Sequence, residues 1–201
     1  MTSCYLVALF YLITGGLVEC VDCLCFKMQL IILSYAEKLD EIIREVLGDR
    51  LLTPKQVMGN CKSLEEMRMA DGWPTLKAAA GKIFVLLHPC GVTDEYISVD
   101  ISLGSQAMFP MLRFDSIDKP YASFILDNDP ETATENNKKT VGEKKLMVKS
   151  RADDYPDFNE ERYRFADNCG SHIITTDYPP RYVRSQEHIY DFDGYTIKLL
   201  K

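Results

Sequence analysis

The sequence predicts an α/β domain built on a parallel sheet. From residue 35 onward, short apolar runs of strand length alternate with helix-length stretches. One run, Ile83-Phe84-Val85-Leu86-Leu87, is apolar at every position. An unbroken run suits a strand covered on both faces, as in a parallel sheet with helices against it. Strands that alternate with helical stretches are the pattern of βα units.

The first 34 residues stand apart as a hydrophobic leader. Residues 5–18 carry no charge, and apolar residues resume at Leu30-Ile31-Ile32-Leu33. The run is shorter than the roughly 20 residues needed to span a bilayer, and that length fits a signal-peptide hydrophobic region. No Lys or Arg precedes Lys27, however, and no small-residue cleavage site stands out. Three readings stay open: a signal peptide, a membrane anchor, or a stretch joined to the domain by a faulty gene model. The first two imply a secreted or membrane-associated protein.

Residues 35–47 form an amphipathic helix. Leu39, Ile42, Ile43, Val46 and Leu47 recur at helical spacing on one face, opposite Asp40, Glu41, Arg44 and Glu45. Gly48 ends it, because glycine enters the left-handed conformation without steric cost. The stretch Thr75–Ala80 follows Trp73-Pro74 and reads as a short helix with proline near its start. Trp73 reads as a packing anchor. After the strand at 83–87 come four more strands. Residues 107–112 are a weaker one, because Pro110 removes a ladder donor. Residues 122–126, 146–150 and 172–176 follow, the last favoured by β-branched Ile173, Ile174, Thr175 and Thr176. Residues 128–143 read as an exposed loop, and 159–168 as a helix ending at Gly170. Residues 186–201 read as a C-terminal tail.

Composition narrows the partners. The chain has 201 residues, which suggests one domain, with 46% apolar and 26% charged residues. That is ordinary globular composition. A formal charge of −7 and a pI near 5.0 give no overall field for a polyanion, so nucleic acid is excluded as the expected partner. Lys138, Lys139, Lys144 and Lys145 read as a solvated patch. Of seven cysteines, Cys4, Cys20, Cys23 and Cys25 lie in the leader, and sequence alone pairs none of them. Cys20, Cys23 and Cys25 lack a second Cys/His pair at zinc-finger spacing, so no metal site is expected there.

Four segments carry a specific resemblance. They are Leu51-Leu52-Thr53-Pro54, then Asp71-Gly72-Trp73-Pro74-Thr75-Leu76 leading through Gly81-Lys82 into Ile83-Phe84-Val85-Leu86, then Val148-Lys149-Ser150-Arg151-Ala152-Asp153, and last Gly170-Ser171-His172-Ile173-Ile174-Thr175-Thr176-Asp177-Tyr178-Pro179. In this order, residues 35–181 resemble the C-terminal half of the calcium-dependent phosphoinositide phospholipase C family. The resemblance implies a partial (β/α)₈ barrel of TIM type that belongs to a phosphoric diester hydrolase. The substrate it implies is a phosphoinositide-like lipid or other phosphodiester, met at a membrane surface. In that family two histidines act as general base and acid, and calcium helps activate the inositol hydroxyl. The His-Asn-Ser-type and Glu-Leu-Asp-type segments that supply those groups are not matched in this chain.

Length points the same way. A full barrel needs about 250 residues and eight strands, and the chain shows five candidate strands over residues 83–176. The domain at residues 35–185 is therefore expected to be a half-barrel: a fragment, a half that pairs with another, or a truncated product. A catalytically inactive remnant that binds an anionic headgroup or a partner is the rival to the enzyme.

Ligand chemistry in this fold sits at the C-terminal ends of the strands. Lys149 and Arg151 end one strand there and suit a phosphate, because a guanidinium matches its oxygens bidentately. The competing role for Arg151 is a rim pair with Asp153. Asp177 and Tyr178 end the next strand, placed for inositol hydroxyls and a sugar face or else as a loop cap before Pro179. Arg151 and Asp177 are expected to share one cleft. His88 ends its strand on the ligand side but has no visible acid–base partner, so it reads as structural. His172 precedes its strand and reads as structural, and His188 as surface.

Overall fold

The structure is a computed structural model that describes residues 5–14, 17–20, 24–27, 34–89, 93–132, 134–153, 160–168 and 170–176. It divides into two units, Met1–Phe124 and Ile125–Lys201. Among the described residues no helix is long and apolar enough to cross a membrane.

The first unit opens with β1 (Tyr5–Thr14), β2 (Leu17–Cys20) and β3 (Leu24–Lys27), all within the expected leader. Helices α1 (Ser34–Leu47), α2 (Pro54–Met58) and α3 (Leu64–Met69) follow, then β4 (Ile83–Leu87), α4 (Thr93–Val99) and β5 (Met108–Leu112). The strand order is β2-β1-β4-β5. β1 lies antiparallel to β4, from Leu9 opposite Leu86 to Leu12 opposite Ile83, and β4 and β5 are parallel.

β4 is apolar throughout because both its faces are covered. Ile83, Val85 and Leu87 face a cluster with Ile43 and Leu47 of α1, Tyr96 of α4, and Ala107 and Met108. Full burial of one such aliphatic side chain stabilises by about 1.5–3 kcal/mol. On the opposite face, Phe84 stacks on Phe124 at 5.3 Å between ring centroids, and Phe109 meets Phe124 edge-on at 5.4 Å. Trp73 joins them, edge-on to Phe124 at 5.6 Å, which bears out its reading as a packing anchor.

Helix α1 spans almost the expected residues and stops at Gly48, which takes φ +51°. Its buried face is narrower than the sequence suggested. Ile43 and Leu47 are buried, whereas Ile42 is 48% and Val46 71% exposed. The cluster over β4 and β5 is met by Ile43 and Leu47, with Leu39 partly buried against it, and a five-residue apolar arc is wider than that contact.

One expectation is corrected in detail. Residues 75–80 form a hydrogen-bonded turn, held by Ala79 N–H to Thr75 O at 2.9 Å, and do not propagate as a helix. Two short helices, α2 and α3, precede that turn. Each is set by its first residue: Thr53 and Gln56 bond reciprocally as a capping box with Pro54 at the first helical position, and Ser63 Oγ accepts Glu66 N–H at 3.0 Å. Pro110 stays inside β5, opposite Leu87 and fully buried: its carbonyl remains available, and only one ladder donor is lost.

The second unit continues the alternation. β6 (Phe124–Asp127, shared with the first unit at Phe124) leads to α5 (Glu135–Glu143), β7 (Met147–Arg151), α6 (Glu160–Asn168) and β8 (Ile173–Thr175). The order here is β6-β7-β8, with β7 and β8 parallel. Residues 128–143, expected as a loop, contain helix α5. Its N-terminus is capped by Thr134, whose hydroxyl accepts Asn137 N–H at 3.1 Å. The composition hid it, because Val141 is its buried apolar residue and the rest is polar. From β4 to β8 the chain follows the βα order of a partial (β/α)₈ barrel of TIM type, the fold class the sequence led us to expect.

Candidate functional site

β7 ends in Lys149, Ser150 and Arg151. Side chains alternate along a strand, so Lys149 and Arg151 share one face while Val148 and Ser150 share the other. Lys149 is 8% exposed, and its Nζ donates to Asn128 Oδ1 at 3.1 Å. Asn128 directly follows β6, so two strand ends meet through these side chains. Arg151 is half-buried at the last position of β7, opposite Thr175 of β8.

Polar bonds tie β7 to β8 on either side of these residues. Ser171 Oγ donates to Ser150 Oγ at 2.8 Å, Ala152 N–H donates to Thr175 O at 2.8 Å, and the Thr176 hydroxyl donates to the buried Asp153 carboxylate. Asp153 therefore fastens the chain after β7 to the chain after β8.

An acidic turn lies beside Lys149. Asp127 ends β6 and is buried, and its carboxyl is held above the usual carboxylate range by that burial and by neighbouring Asp129 and Glu131. Arg162 of α6 answers the turn. Its Nη2 donates to the Asn128 carbonyl and meets Asp129 Oδ1 at 2.9 Å, while its Nε lies 3.7 Å from Glu131 Oε2.

The histidines divide. His172 Nδ1 accepts Val148 N–H at 3.1 Å, and burial lowers its pKa. Its imidazole completes a strand contact, in line with the structural reading. His88 sits at the end of β4 with Nδ1 3.1 Å from Pro89 O, and its own carbonyl accepts from Thr93 Oγ1 at 3.4 Å. In the first unit, Asp40, Arg44, Tyr96 and Gln106 line a shallow cleft. Asp40 there accepts Tyr96 OH at 2.8 Å and Ala107 N–H at 2.8 Å. This network sits at the entry to β5, the barrel end associated with stability rather than chemistry.

The model of the family described as "Phosphoinositide phospholipase C, Ca2+-dependent" matches residues 28–200. The chain belongs to this family. No curated protein compared with the chain matches it. The phospholipase C fold is seen in a solved Ca2+-dependent phosphatidylinositol-specific phospholipase C from Streptomyces antibioticus. The two superpose with a TM-score of 0.53 at 16% identity, over 70% of this chain and 57% of that one. At that identity the likeness speaks for the fold. The chain thus spans little more than half the length of the phospholipase C it matches.

The family's name raises the question of calcium. Among the described residues, no group of three or more His, Cys, Asp and Glu side chains could hold a metal ion. The nearest carboxylates, Asp129 and Glu131, are engaged by the Arg162 guanidinium, and burial raises the pKa of Asp127. This donor set does not fit calcium, a hard cation that takes six or more oxygens.

Of the phospholipase C site residues expected from sequence, Lys149 and Arg151 share one strand face at the expected end of β7. Asp177, Tyr178 and His188 lie outside the described residues, and so does the expected cleft between Arg151 and Asp177. The sequence reading missed Asn128, Asp127 and Arg162. The run Asp127-Asn128-Asp129-Pro130 signalled a turn, but its link to Arg162 joins residues 33 and 34 apart in sequence.

Proposed function

We propose that this protein serves phosphodiester hydrolysis of the phosphoinositide phospholipase C type, and that this chain supplies the wall that binds the phosphate of an inositol headgroup. One observation carries the reading: Lys149 and Arg151 lie on the same face of β7 at its C-terminal end, with Lys149 a buried residue. An ammonium and a guanidinium two residues apart offer a phosphate both a point charge and a planar fork. Partial exclusion from water strengthens their attraction to an anion. Family membership supports a phosphoinositide-like lipid as the source of that anion. Proton transfer is not assigned to this chain, since His172 spends its acceptor nitrogen on Val148 and His88 has its Nδ1 against a neighbouring carbonyl.

The test is calorimetric titration with inositol 1-phosphate, alongside sedimentation with vesicles containing phosphatidylinositol. Charge-assisted hydrogen bonds are worth about 1.5–3 kcal/mol, so Lys149→Ala and Arg151→Ala should each weaken binding about tenfold or more. The 201-residue chain should bind without releasing inositol phosphate above a buffer blank, with or without calcium. Unchanged binding in both variants would overturn the reading.

A further inference from the structure

We propose that α1 packs antiparallel against α1 of a second copy of this chain, through the face that carries Ile42 and Val46. This surface lies in the first unit and shares no residue with the phosphate-binding wall of β7. Two sides of α1 are already engaged. Its core side holds Ile43 and Leu47, buried over β4 and β5. A second side meets α4 and the entry to β5: Asp40 accepts Tyr96 OH at 2.8 Å, and Arg44 Nη2 donates to Ser105 O at 2.7 Å. The third side carries the exposed Ile42 and Val46, four residues apart in one helical row. Leu39 borders that row and is only partly buried by the core. Lys38 and Glu45 flank it and are exposed, and among the described residues neither makes an ion pair or a hydrogen bond.

The flanks of this row select the partner. At about 100° per residue, Lys38 and Glu45 fall on one side of Ile42, and Leu39 and Val46 on the other. Antiparallel pairing about a two-fold axis at Ile42 keeps each flank beside its own counterpart and reverses its order along the helix. Lys38 then meets Glu45 of the second copy, Leu39 meets Val46, and Ile42 meets itself. Apolar contacts fill the centre and one flank, and two opposite-charge pairs close the other. Parallel pairing would set Lys38 against Lys38 and Glu45 against Glu45, so the charges also fix the direction. A self-complementary patch of this kind is what a two-fold contact between identical chains requires. One helix face from each copy falls short of the roughly 1,200–2,000 Å² that stable interfaces bury, so the dimer is weak and dissociates on dilution.

The experiment is sedimentation velocity of the full chain from low micromolar to near-millimolar concentration, with urea unfolding of each variant in parallel. The parent should pass from monomer toward dimer as concentration rises. Val46→Glu should weaken dimerisation more than about tenfold, because it puts a charge into an apolar contact. Lys38→Glu and Glu45→Lys should each weaken it about three- to tenfold, because exposed pairs are individually weak and each dimer carries two. The decisive readout is a mixture of those two variants. One is acidic at both flank positions and the other basic, so together they should recover the dimer that each forms poorly alone. A parent that stays monomeric across the range overturns the proposal, whatever else covers this face. Association that persists unchanged in Val46→Glu also overturns it, by placing the contact on another surface, the apolar first 34 residues included. A mixture no better than its components overturns the antiparallel pairing. If Val46→Glu fails to fold, the mixture decides alone.

Discussion

His172 and Val148 bond to each other twice. The backbone N–H of His172 donates to the Val148 carbonyl at 2.9 Å, and the Val148 N–H donates to the His172 ring nitrogen Nδ1 at 3.1 Å. An imidazole thus takes the place of a strand carbonyl at the start of the β7–β8 ladder. The nitrogen that accepts must be unprotonated, so the ring is held neutral with its proton on Nε2.

Burial lowers the His172 pKa from the ordinary 6.5, so the unfolded chain binds a proton at a pH where the folded one does not. The stability from this group is full above pH 6.5 and is lost as pH falls through the lowered folded value. His172→Ala should cost about 1–3 kcal/mol at pH 7.5 by leaving the Val148 N–H unpaired. His172→Asn, whose Oδ1 can take the place of Nδ1, should recover most of it and remove this part of the acid sensitivity. Urea unfolding at pH 5.5 and 7.5 is the check.

Asp40 and Tyr96 titrate in the opposite sense. Burial, the largest cause, holds the Asp40 carboxyl above its usual 3.8, against the lowering effect of its bonds from Tyr96 and Ala107. The folded state therefore holds this proton more tightly. The resulting stability is full below about pH 3.8 and is lost as pH rises through the raised value. Tyr96→Phe should cost about 1–3 kcal/mol, because the hydroxyl both donates to Asp40 and accepts Met108 N–H at 2.8 Å. Asp40→Asn should flatten the pH dependence above the usual carboxylate value of 3.8. A variant whose slope matches the parent would assign that slope to other groups.

Gly72 ends α3 by donating to the Met67 carbonyl at 2.8 Å, while Asp71 takes φ 55° and donates to Arg68 O. This is the Schellman arrangement, with the left-handed position held by an aspartate. A Cβ on Gly72 would lie 2.8 Å from Met67 O and 2.9 Å from Met67 Cγ. Gly72→Ala should therefore destabilise by about 1–3 kcal/mol, as overpacking does. A thermal midpoint unchanged from the parent would show that the turn yields.

Phe124 joins three rings, Trp73, Phe84 and Phe109, on one face of the first unit. Phe124→Ala should cost about 3–5 kcal/mol, the range for a buried aromatic truncated to alanine. Phe124→Leu should cost less by refilling part of the volume. Equal losses for the two variants would mean that ring geometry, and not volume, sets the cost.

The strands of the fold were legible in the residues themselves. Ile83–Leu87 was recognisable without a neighbour because a strand buried on both faces must be apolar at every position. Lys149 and Arg151 were legible too, as charges placed just past an apolar run at a strand's C-terminal end. Helix α5 was not, because a helix on the surface needs only a capping Thr134 and one buried Val141, and composition alone reads that as loop. Nor could residue patterns reveal the width of the α1 contact, which leaves Ile42 and Val46 in solvent. The link from Arg162 to Asn128 and on to Lys149 belongs to the tertiary structure alone. Local sequence determines periodicity and caps, which act over three or four residues. Which lysine meets which amide depends on strands and helices that stand tens of residues apart until packing brings them together.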